Sequence, residues 1–148
     1  MRSFALFLVL VLAASAFGSV FRPGSWYDEL VKPALTPPGW IFPPVWITLY
    51  VMIAIAGWLA WKRAGTLKHP ALLCWGGQLF ANALWSWFFF GIESPELAFA
   101  DIVVLFSMIC GFIYYAYPIS KSSSILFIPY ALWVFFAAYL NLGIIFLN

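Results

Sequence analysis

The sequence predicts an all-α integral membrane protein: a bundle of five transmembrane helices with a long proline- and tryptophan-rich loop between helices 1 and 2. Three observations carry this. Of 148 residues, 66% are hydrophobic and only 8% are charged, where an ordinary soluble domain is about one quarter charged; mean hydropathy is +1.00. The apolar residues fall in runs of about twenty, the length a helix needs to cross a hydrocarbon core about 30 Å thick. The runs are continuous rather than alternating, which excludes a barrel, because lipid admits only helices and closed barrels.

The first span, residues 4–21, is free of charge and preceded by Arg2. With the small-residue run Ala13-Ala14-Ser15-Ala16 it also has the parts of a cleavable secretory signal. It is taken here as a retained helix, since the run is long for a signal core and four more spans follow; cleavage would remove one wall of the bundle. Residues 22–42 form the long loop. The stretch from Trp26 to Trp46 holds five prolines and three tryptophans. Each proline removes a backbone donor and fixes φ, and residues before proline are pushed to extended geometry. A structured, partly extended lid is expected, with a helix starting near Pro43 or Pro44.

The second span, 43–61, is closed by Lys62, Arg63 and Gly65. The third, 70–92, is bounded by Pro70 and by Gly91, Glu93 and Pro95. The fourth, 97–117, ends at Pro118, and the fifth, 125–147, follows a polar turn from Ser120 to Ser124. No repeat or soluble domain is left over, so residues 1–148 read as one membrane domain. Lys and Arg in short loops stay cytoplasmic. One side collects Arg2, Lys62, Arg63, Lys68 and Lys121, while the other has only Arg22 and Lys32, mixed with Asp28, Glu29, Glu93 and Glu96. The N-terminus is expected in the cytoplasm, with the C-terminus and the lid on the periplasmic face.

A net charge of +2 is too small to argue for nucleic acid. Cys74 and Cys110 lie inside apolar runs and read as small buried hydrophobes. His69 is the single histidine and stands beside Pro70 in a basic loop, so a structural or solvated role is expected and no metal site. No Ser-His-Asp set, paired buried carboxylates or phosphate-cradling glycine loop occurs. Only chemistry carried by a bound chromophore stays open.

The helix interiors carry a pattern. Gln78, Asn82 and Trp85 fall at i, i+4, i+7 on one face of the third span. Two carboxamides at membrane depth face protein or a cavity; interhelical hydrogen bonding and direct ligand contact are both consistent with them. Trp46 and Tyr50 lie one turn apart on the second span. On the fifth, Tyr130, Trp133, Ala137 and Asn141 share a face. Together they suggest an aromatic pocket beneath the lid, suited to a flat, largely apolar ligand. Trp58, Trp61 and Tyr117 are assigned to the interfacial belt. Asp101 is read as an acid in a helix N-terminal turn. The Gly76-Gly77 pair would permit close helix approach and serve a dimer interface.

These residues resemble the translocator protein, or tryptophan-rich sensory protein, family (TspO/MBR, once called peripheral benzodiazepine receptors), in its bacterial type. The likeness rests on Trp26-Tyr27, Lys32-Pro33, Thr36-Pro37-Pro38-Gly39-Trp40, Phe42-Pro43 and Trp46, then Gln78, Asn82 and Trp85, then Pro129-Tyr130 and Trp133, in order over essentially the whole chain. It implies a five-helix bundle, commonly a homodimer, with a pocket for porphyrins (protoporphyrin IX and haem-like tetrapyrroles) and for isoquinoline-type ligands. The implied pocket residues are Tyr27 and Pro37 from the lid, Trp46 and Tyr50, Asn82 and Trp85, and Trp133 and Ala137. The resemblance implies a tetrapyrrole sensor, regulator or transporter of the bacterial inner membrane. Light-driven porphyrin degradation, with Trp46 and Trp133 as electron partners of the excited ligand, is a second reading, and a dimeric accessory protein acting through partner contacts is a third. Two departures stand out. Leu35 occupies a position where the family usually has tryptophan, and no basic residue follows Tyr139, so the mammalian sterol-recognition stretch is missing.

Overall fold

In a chain this apolar, backbone donors have to be satisfied within their own segment. The computed structural model of the protein, which describes Arg2–Asn148, is accordingly helical, with no strand among the described residues. Six α-helices follow one another: α1 (Arg2–Val20), α2 (Ser25–Glu29), α3 (Phe42–Ala64), α4 (Pro70–Ser86), α5 (Pro95–Ala116) and α6 (Lys121–Leu147). Four helical stretches are long and apolar enough to cross a membrane: Ser3–Val20, Gly39–Ala64, Pro95–Ala116 and Lys121–Leu147.

The structure differs from the expected five spans and single long loop in two places. Ahead of Pro33, the first proline of the Trp26–Trp46 stretch, Ser25–Glu29 closes a short helix, so the 22–42 segment is not loop throughout. A 3₁₀ turn, Gly39–Ile41, then leads into α3. α4 runs for 17 residues before its hydrogen bonding changes and is not among the four stretches long and apolar enough to cross. It runs directly into a π-helical turn, Trp87–Gly91, in which the Ile92 N–H donates to the Trp87 carbonyl at 2.9 Å.

The helix ends follow from their residues. Pro43 and Pro44 occupy the first turn of α3, where no intrahelical N–H is required. Gly65 ends α3 with φ of 69°, the left-handed conformation a glycine tolerates best. His69 caps α4: its Nδ1 accepts from the Ala71 N–H at 3.2 Å. Ser94 caps α5, its Oγ accepting from the Leu97 N–H at 3.4 Å. Asp101 lies in the second turn of α5, deeper than the first-turn position that would explain it by the helix dipole alone.

α5 packs between α4 and α6, α1 packs on α3 and α4, and α3 also packs on α6. Glycines set the closest approaches. At Gly57 a Cβ would overlap the Trp75 indole, which lies flat across α3 and donates from Nε1 to the Ile53 carbonyl at 2.9 Å. Phe7 of α1 meets the same indole edge-on at 4.9 Å between ring centroids. Cys74 Sγ sits over Gly111, and both cysteines are free thiols. Gly77 faces Met108 inside the molecule, so of the glycine pair nominated for a dimer contact only Gly76 is open to the outside. At one end of the bundle Lys62 covers the Trp58 ring at 4.6 Å and Lys121 the Tyr117 ring at 5.5 Å. Cation–aromatic pairs of this kind suit a membrane–water boundary.

Candidate ligand cavity

The lid is fastened to the C-terminal end of α6. The Asn148 side chain accepts from the Val31 N–H at 2.9 Å and donates to the Val31 carbonyl at 3.0 Å, a two-bond clasp. Tyr139 Oη donates to the Ala34 carbonyl at 2.9 Å. Pro33 is buried, and its ring occupies the space a side chain on Gly143 would take, with Pro33 Cβ only 2.6 Å from where that Cβ would stand. Gly143→Val is therefore expected to displace the lid while sparing the helices. Proteinase K should cut residues 30–40 of this variant several times faster than the parent at unchanged helical circular dichroism; equal cutting rates would show that Pro33 is not what holds the lid down.

Beneath the lid lies a cavity of about 740 Å³, within the range that holds cofactor-sized molecules. Of the residues nominated from sequence, Tyr27, Pro37, Trp46, Tyr50, Asn82, Trp85, Trp133 and Ala137 all line it. Gln78 does not. It is fully buried one layer behind the wall, where its Oε1 accepts from Tyr130 Oη at 2.7 Å. Tyr130 in turn accepts from Asn82 Nδ2 at 3.0 Å, and Asn82 Oδ1 accepts from Tyr50 Oη at 3.0 Å. The result is a hydrogen-bonded chain from the cavity surface into the α4–α6 packing, and Gln78 serves it as an anchor. Gln78 Nε2 and Asp101 Oδ2 end without partners.

The aromatic wall is cross-braced. Trp85 stacks on Phe89 at 5.0 Å with 19° between planes. Its Nε1 donates to Asn141 Oδ1 at 3.2 Å, while Asn141 Nδ2 donates to the Pro95 carbonyl at 2.8 Å. Trp46 packs against Tyr50 at 5.3 Å and edge-on to Tyr130 at 6.4 Å. Phe42 meets Trp133 edge-on at 5.8 Å. From the lid, Tyr27 reaches Phe90 at 5.5 Å. Partial burial, with Asp28 adjacent, pushes the Tyr27 hydroxyl above its ordinary pKa, so it stays a neutral donor.

Several lining residues escaped the sequence reading. Ser15, Gly18 and Ser19 supply the wall on the α1 side. Their i, i+3, i+4 spacing was visible, but small residues in an apolar run carry little contrast. Phe89 and Phe90, both inside the π-helical turn, line the cavity as well. Ile102 and Leu105 of α5 and Lys32 of the lid belong to the same lining. Leu35 is absent from it: with φ of 69° and 79% exposure, it points away from the cavity. No group of His, Cys, Asp and Glu fit to hold a metal occurs among the described residues.

Comparison with known proteins finds similarity over nearly the whole chain. Residues 5–147 match the TspO/MBR family model. The chain is 41% identical to the tryptophan-rich protein TspO of Chlorobaculum tepidum, across 97% of this chain and 94% of that protein. It is 33% identical to the protein CrtK of Rhodobacter capsulatus, covering 98% and 92% of the two chains. Similarity extends to animals, with 35% identity to the translocator protein of Ovis aries over 84% of this chain and 73% of the sheep protein.

Proposed function

The chain belongs to the TspO/MBR family, and from that premise we propose that it is a membrane protein that binds tetrapyrroles such as protoporphyrin IX or haem, to sense or to move them. The observation that carries this reading is the cavity of about 740 Å³ walled by Trp46, Trp85, Trp133, Tyr27 and Phe89. Flat faces of this kind stack on a planar conjugated ring, while Asn82 and Tyr50 offer the few polar contacts that orient it. No side-chain catalytic set accompanies them, so binding is the primary activity proposed.

The proposed setting is the inner membrane of a bacterium, with the N-terminus in the cytoplasm and the lid outside. Five crossings are proposed, with Pro70–Gly91 added to the four above: the 17 α-helical residues of α4 and the 5 of the π turn form one continuous helical stretch, and a crossing needs about 20. With the N-terminus in the cytoplasm and α4 crossing, the cation-capped end at Trp58 and Tyr117 falls on the cytoplasmic side. A homodimer is also proposed, with Gly76 on the open face of α4.

Titration of intrinsic tryptophan fluorescence with protoporphyrin IX, in the dark, tests the ligand assignment. Saturable quenching is expected, about tenfold weaker in Trp133→Phe and in Tyr27→Ala, each of which removes one stacking or edge contact of the order of 1 kcal/mol or more. Leu35→Trp should leave affinity within twofold, since that side chain stands outside the cavity. Absence of saturable quenching in folded protein would overturn the tetrapyrrole reading.

A further inference from the structure

The cavity wall contains two charged side chains, Lys32 and Asp28, and they are not equivalent. Asp28 is exposed, so water screens it. Lys32 is half-buried and held in place. Its Nζ donates to the Tyr27 carbonyl at 2.8 Å and the Leu30 carbonyl at 3.4 Å, and it stands 4.5 Å from the centre of the Tyr27 ring.

The partners of Lys32 are thus two neutral carbonyls and a ring face. They orient the ammonium and satisfy two of its three donors. They do not cancel its charge. A fixed cation at the edge of a largely apolar cavity is complemented by one thing above all, an anion that can take the third donor in a charge-assisted hydrogen bond.

We infer that Lys32 is a specificity residue that selects ligands carrying a carboxylate at the rim of a flat apolar body, with the carboxylate docked on Nζ beneath Tyr27. The inference rests on the tetrapyrrole reading for its probe: protoporphyrin IX bears carboxylates on its periphery, and its dimethyl ester has the same ring without their charge.

The test compares dark binding of protoporphyrin IX and its dimethyl ester to the full chain in one detergent, for the wild type, Lys32→Gln and Lys32→Arg. The wild type is expected to prefer the acid by about tenfold, the scale of one charge-assisted contact. Lys32→Gln should bring that ratio close to one by weakening the acid alone, and Lys32→Arg should keep it. Retention of ester affinity in Lys32→Gln shows that the lid is still seated. A wild type that binds acid and ester equally overturns the inference while leaving the tetrapyrrole reading in place, as does a preference that persists in Lys32→Gln. Binding of neither compound overturns both.

Discussion

Ala137→Phe is expected to weaken protoporphyrin binding by tenfold to a hundredfold while leaving the folded protein as stable as its parent. Ala137 lies on the inward face of α6, one turn beyond Trp133, and borders the cavity directly. Although Ala137 also packs against the core, a benzyl group there can extend into the cavity, so the apo bundle has room to hold it. A ligand, by contrast, meets the cost of inserting volume into a filled site, about 1–3 kcal/mol when surroundings yield only partly. Dissociation constants and thermal unfolding measured on the same sample separate the two effects. An Ala137→Phe protein that binds as tightly as the parent would place the ligand elsewhere, and one that fails to fold would show that α6 is packed at this position and not open.

Gly57→Val should have the opposite profile, a large loss of stability with no direct effect on the cavity, which Gly57 does not line. Its Cβ position is already taken by the Trp75 indole, with Phe7 Cδ1 2.9 Å away. A valine forces the indole aside, and with it go the Nε1 bond to Ile53 and the Phe7 edge contact. Overpacking and a lost buried hydrogen bond together amount to about 3 kcal/mol. Trp75→Phe supplies a smaller ring and should recover part of the loss when combined with Gly57→Val, giving a coupling of about 1 kcal/mol or more in a double-mutant cycle. Strictly additive effects would mean that the two residues do not share this space.

What the sequence made legible depended on contrast. Carboxamides and aromatic residues at helical spacing stand out in apolar runs, which is why Asn82, Trp85, Trp46 and Trp133 could be nominated for a common pocket. Gln78 shares that spacing yet anchors Tyr130 behind the wall, because a repeat of 3.6 gives a face but not a depth. The α1 wall was hidden for the reverse reason: Ser15, Gly18 and Ser19 serve by being small. Prolines marked the lid and the start of α3, but the short helix Ser25–Glu29 needs only five residues between such markers. The extent of the third span, 70–92, is close to the continuous helical stretch Pro70–Gly91, but its change of hydrogen-bond register at Trp87 leaves no mark in an apolar sequence.

That change of register bears on how such a cavity can be altered over evolution. A π turn accommodates one residue more than an α-helix of the same rise, and such turns are common at functional sites. Here Phe89 and Phe90, both within the turn, border the cavity, with Gly91 permitting the close approach of Phe21. Loss of one codon at Phe88 would restore an α-helix and swing the residues that follow by about 100° relative to those before, withdrawing one aromatic face without substituting any lining residue. Ligand preference in this architecture can therefore drift through single-residue insertions and deletions, which comparisons of aligned pocket residues alone would miss.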